Sequence, residues 1–182
     1  MRAESTMKTD AKRIALSGLL AALAVSVMFL GGVLPFATIA MPVMASLILI
    51  PVYIEAGRKW GALWYLAVAA LGLLLCTDKE GPILFVFFGC YPMLHRKIGH
   101  LRVRALRWLL KIVYVNASIA AAYSLMIFLF RMDAILKEYR QTGTFLLIAL
   151  VALANVSFVI YDVLIDRLEL YYHVRIRPKL KL

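Results

Sequence analysis

The chain has 182 residues, 64% of them hydrophobic, and a formal net charge of +11. Soluble domains carry about 45–50% apolar residues, which excludes a water-soluble core of this size and makes lipid the expected solvent. In a soluble protein the basic excess would suggest nucleic acid; here the Lys and Arg residues flank apolar runs, where they set topology and meet anionic headgroups, so membrane lipid is an expected partner and nucleic acid is not.

Residues 1–182 read as a single transmembrane domain. Lys8, Lys12 and Arg13 precede a first apolar run over residues 14–34, too long for the hydrophobic region of a signal peptide and with no small-residue cleavage site after it. It reads as a retained helix, with Met1 or Met7 as alternative starts. Further runs cover 37–54 (with Pro42 and Pro51 inside), 60–76, 81–94, 108–130 and 144–165, followed by a tail over 166–182. A span needs about 20 residues to cross a hydrocarbon core of about 30 Å. The fourth run is shorter and contains Gly89 and Pro92, so it is expected to borrow residues down to Ile98, to bend, or to insert only in part.

Placing both termini in the cytoplasm leaves all but four of the 21 Lys and Arg residues (Lys79, Arg131, Lys137 and Arg140) on the inner side. The opposite orientation violates the positive-inside rule at almost every loop. The expected fold is therefore an all-α integral membrane protein, a compact bundle of six transmembrane helices with cytoplasmic N- and C-termini in a bacterial plasma membrane. Between the fourth and fifth runs, Leu94, Ile98, Leu101, Ala105 and Trp108 recur at helical spacing among basic residues, which predicts an interfacial amphipathic helix over about 95–107. It would be a docking surface or a headgroup-bound connector. On the outer side, Arg131–Gln141 reads as a short helix, either a lid or a solvated linker.

The chain lacks enzyme chemistry. H-E-x-x-H, G-x-S-x-G, G-x-x-x-x-G-K-[ST] and the D-x-x-D-G pattern of headgroup transferases are all missing. The three histidines, His95, His100 and His173, fall outside any metal-ligand pattern, and Cys76 and Cys90 read as small buried hydrophobes. No catalytic residue, metal or cofactor is expected. The candidates for ligand contact are polar groups in or near apolar runs: Asn116 and Asn155 at mid-depth on the last two runs, Tyr123 further outward, and the outer cluster Asp78, Lys79 and Glu80. Their alternative roles are interhelical hydrogen bonding for the asparagines and a solvated turn for the cluster. Asp162, Asp166 and Glu55 read as interfacial ion pairs with nearby basic loops, and not as a proton relay. Ala11, Ala15, Gly18 and Ala22 place small residues along one stripe of the first helix, where another helix can approach closely, from within this chain or from a partner.

Size, six helices, both ends inside, the A-x-x-x-A of Ala11–Ala15 and the missing ATPase motif together resemble the substrate-binding S component of energy-coupling factor (ECF) transporters. The resemblance is one of architecture over nearly the whole chain. It implies capture of a vitamin-like micronutrient from outside. It also implies docking through Ala11 and Ala15 onto a transmembrane coupling protein driven by cytosolic ATPases, with ligand held around Asp78 and the outer polar face. The short, uncharged connection at 31–36 departs from the longer loop that family members often use over ligand. Small non-catalytic scaffolds of the cell-shape machinery, the MreD-type proteins, are similar too and imply partner recruitment without a pocket. A small lipid-interacting regulatory protein is a third alternative.

Overall fold

The computed structural model describes residues 2–34, 37–128 and 144–180. Every regular element among them is helical: α1 (Arg2–Val33), α2 (Ala40–Leu47), α3 (Leu49–Leu75), α4 (Glu80–Phe88), α5 (Tyr91–Gly99), α6 (Arg104–Phe128), α7 (Thr144–Tyr171), a π-helical turn (Tyr172–Ile176) and α8 (Arg177–Leu180). The expected outer helix over 131–141 lies outside the described residues.

Among the described residues, four stretches are long and apolar enough to cross a membrane: Ala11–Val33, Leu49–Leu75, Arg104–Phe128 and Ile148–Lys179. Their apolar side chains face outward in numbers that water would not tolerate; Leu74 is 77% exposed, Phe128 84% and Ile148 65%. Contiguous exposed apolar surface on this scale needs a lipid or protein environment.

The second and fourth apolar runs are divided, and proline explains where. Pro42, Pro51, Pro82 and Pro92 each fall within the first three residues of a helix. There a backbone N–H has no intrahelical acceptor, so proline costs nothing that was not already lost, whereas in a helix interior it removes a bond and clashes. The second run becomes α2 and the start of α3, parted at Ile48. The fourth becomes α4 and α5, parted at Gly89 and Cys90.

α3 is itself interrupted. Gly57 has φ 85° and ψ 176°, a conformation open almost solely to glycine. It separates Leu49–Ala56 from the long apolar stretch that ends at Leu75, next to Arg58 and Lys59. The amphipathic helix expected over 95–107 is also broken. α5 stops at Gly99, where the N–H groups of His100 and Leu101 turn back to the carbonyls of Lys97 and Ile98 at 3.3 and 3.1 Å, and α6 starts afresh at Arg104. Tight i to i−3 bonds of this kind close a helix end.

The chain forms two compact units. The first comprises residues 1–93 and 165–182. Its core gathers Ala24 and Met28 of α1, Ala45 of α2, Leu49, Val52, Trp64 and Val68 of α3, and Phe85 of α4. The Trp64 indole donates to the Ser17 carbonyl at 2.9 Å, and the Tyr65 hydroxyl donates to the Val86 carbonyl. α1 and α3 approach closely at Gly72, where an added Cβ would lie 2.9 Å from Met28 Cε. The second unit comprises residues 94–164, the end of α5 with α6 and most of α7.

Candidate functional site

α6 and α7 meet along a polar seam in the second unit. Its first layer is the asparagine pair. Asn116 Nδ2 donates to Asn155 Oδ1 at 3.0 Å, and Asn155 Nδ2 donates back to Asn116 Oδ1 at 3.3 Å. The remaining amide hydrogens go to the carbonyls one turn earlier, Ile112 and Val151, both at 2.8 Å. All four amide donors are thereby used within two apolar helices. Tyr123, seven residues beyond Asn116 and so on the same stripe of α6, is half-buried.

The second layer is charged. Asp162 on α7 is 4% exposed. Its Oδ2 accepts from Lys111 Nζ at 2.5 Å, and its Oδ1 lies 2.7 Å from His95 Nδ1. One carboxylate thus ties together α5, α6 and α7. Lys111 also stands 5.5 Å from the centroid of the Trp108 ring, within range of a cation–π attraction. From the first layer to the second is five residues along α6 and seven along α7, about 7.5 and 10.5 Å at 1.5 Å per residue. The helices run antiparallel.

Asp162 departs from expectation. It is a buried carboxylate with a helix lysine and a histidine, not an interfacial acid paired with loops. Asp166, one turn on, is exposed. Glu55 is buried as well, with Oε1 3.4 Å from Nε of Arg177 in the C-terminal segment. None of the three members of the triad was among the sequence-derived site residues: Asp162 was read as an interfacial ion pair, and His95 and Lys111 had no assigned role. The signal that could have found them is a lysine inside one apolar run matched by an aspartate inside the next.

The Asp78–Glu80 cluster is occupied with helix ends. Lys79 Nζ donates to the carbonyls of Leu73 and Cys76 at 2.9 and 2.6 Å, placing a cation where the last carbonyls of α3 concentrate negative charge. Asp78 Oδ1 accepts from the Glu80 backbone N–H at 3.1 Å, at the opening of α4. Glu80 itself lies in the first turn of α4, the end where a carboxylate is favoured. Asp78, Lys79 and Glu80 belong to the first unit, and Asn116, Tyr123 and Asn155 to the second.

On α1, Ala11, Ala15, Gly18 and Ala22 are all exposed, and a Cβ added at Gly18 would meet nothing within 4 Å. The stripe lies roughly 130° around the helix from the face that carries Ser17, Ala24 and Met28 into the core, at 100° per residue. Next to it, Arg13, Ile14, Ser17, Ala56 and Trp60 line a cavity of about 270 Å³. Among the described residues no group of three or more His, Cys, Asp or Glu side chains is placed to hold a metal ion. Comparison with known protein families, curated proteins and solved structures finds no match.

Proposed function

We propose that the chain is a non-catalytic, multi-pass subunit of a bacterial plasma membrane that works by docking a partner through its first helix, as the substrate-capture subunit of an ECF-type micronutrient transporter does. The observation that carries this reading is the Ala11–Ala15–Gly18–Ala22 face, which the protein's own core leaves uncovered although it would admit a helix at close range. The charge distribution supports six spans with both ends in the cytoplasm. ATP hydrolysis then belongs to separate cytosolic subunits, and a transmembrane coupling protein is the docking partner. The test is co-expression with a coupling protein and its ATPases. Ala15→Trp is expected to abolish co-purification of the complex while leaving thermal stability of the isolated protein unchanged. Retained association rejects this face.

A second reading, a membrane scaffold resembling the MreD type, is favoured by the hydrogen bonding of the ligand candidates. Asn116 and Asn155 bind each other, and Lys79 and Asp78 are engaged at helix ends, so these groups have less capacity for a polar ligand. Native mass spectrometry separates the two readings: a co-purifying small molecule supports capture, and an empty protein that still binds its partner supports the scaffold.

A further inference from the structure

We propose that the segment 102–109 is a binding surface for an anionic phospholipid, with the phosphate on Arg102, Arg104 and Arg107 and the acyl chains against the apolar side chains interleaved with them. The first observation is unbalanced charge. Between Glu80 and Asp133 the sequence holds no acidic residue. Arg102, Arg104 and Arg107 have no ion-pair partner among the described residues. Arg102 and Arg104 are exposed, and Arg107 is half-buried, its Nε covered and unmatched by any acceptor among those residues. One turn along from Arg107, Lys111 has a carboxylate in Asp162; towards the start of α6 the cations have none. Nor do they serve the helix. Arg104 and Arg107 stand in the first turn of α6, where acids stabilise and cations do not, and that turn holds no acid.

The second observation is what stands between the cations. Val103 is 57% exposed, Leu106 42%, Trp108 41% and Leu109 57%. A soluble anion would answer the charges and leave these side chains in water, and an uncharged lipid would cover them and leave the arginines unmatched. An anionic phospholipid does both. An indole beside basic groups is also the composition of a membrane boundary facing anionic headgroups. The local fold suits this division. α5 stops at Gly99 and α6 starts at Arg104, so Arg102 sits on the connection just before the first turn. Arg104 and Arg107, three apart, share one side of the helix, and Leu106 and Leu109 share another, which runs on to the exposed Val113. Guanidinium groups offer paired N–H donors that match phosphate oxygens. The inference rests on the membrane setting of the proposed function and is independent of docking through α1.

The experiment is native mass spectrometry of the full-length protein in detergent, titrated with an equimolar mixture of phosphatidylglycerol and phosphatidylcholine. The protein is expected to retain phosphatidylglycerol preferentially, and R102Q/R104Q to lower that preference about tenfold. Should that variant fail to fold, R104Q alone is expected to lower it about threefold. R58Q/K59Q removes the same charge from another basic turn and is expected to leave the preference unchanged. Inorganic phosphate at millimolar concentration is expected not to displace the lipid. Equal retention of the two lipids, a preference that survives both R102Q/R104Q and R104Q, an equal loss in R58Q/K59Q, or displacement by inorganic phosphate overturns this surface and leaves the membrane reading standing. A protein that stays soluble and monomeric without detergent overturns both.

Discussion

The two layers of the α6–α7 seam join the same pair of helices by opposite means. The asparagine layer is neutral and reciprocal, each amide acting as donor and acceptor for the other. The charged layer is asymmetric, one carboxylate shared between a permanent cation and a histidine, and it recruits a third helix. The first layer suits constancy, because nothing in it titrates near neutral pH. The second is held by opposite charge, with one carboxylate accepting from two helices at once. Both layers also fix register, since a slip along either helix would part these donors from their acceptors and leave polar groups unpaired.

The largest expected effect comes from breaking the charged layer on one side. Asp162→Leu leaves the largely covered Lys111 without its counter-ion and should destabilise by about 3–5 kcal/mol, measured as loss of helicity in an SDS-titrated unfolding series. The double variant D162L/K111L removes both charges and should recover most of that loss; equal instability of the single and double variants would mean that His95 contacts, not charge balance, dominate. Breaking the neutral layer should matter less. Asn155→Leu orphans one amide of Asn116 and is expected to cost about 1–2 kcal/mol by the same assay, with N116L/N155L milder than either single change. The Asp78–Glu80 turn gives the smallest effect. Lys79→Met removes a cation from the C-terminal carbonyls of α3 and should cost about 0.3–1 kcal/mol, declining as salt is raised. A Lys79 effect as large as that of Asp162 would erase the distinction between surface capping and the buried layer.

Much of this architecture is legible in the sequence, but unevenly. α1, α6 and α7 announce themselves as long apolar stretches, whereas α3 joins parts of two runs across Glu55, Gly57, Arg58 and Lys59; the asparagines stand out because an amide midway along such a stretch needs a partner. Pro42, Pro51 and Pro92 are visible too, yet a proline in an apolar run reads equally as a kink within a span or as the first turn of a new helix. Only the second reading gives α2, α3 and α5 their starts. The end of α5 at Gly99 is hidden because the hydrophobic spacing continues through the break. The triad is the hardest to see. Its members lie 67 and 51 positions apart, and periodicity examines one helix at a time. Lys111 and Asp162 each look like a charge near a helix end, and only their antiparallel alignment turns two interfacial residues into one buried ion pair.

The Lys111–Asp162 pair also bears on how the protein is made. A lysine or aspartate carried alone into the bilayer centre raises the insertion free energy by about 2.5–3.5 kcal/mol, less near the interface. Travelling together the two cancel each other, so under the proposed membrane-subunit function α6 and α7 are best delivered to the lipid as a preformed hairpin. A nascent chain ending soon after Phe128 should then integrate less efficiently than one extended through α7, and D162L should reduce the benefit of that extension. The ion pair that holds the finished helices together would thus serve first as a boarding condition during synthesis.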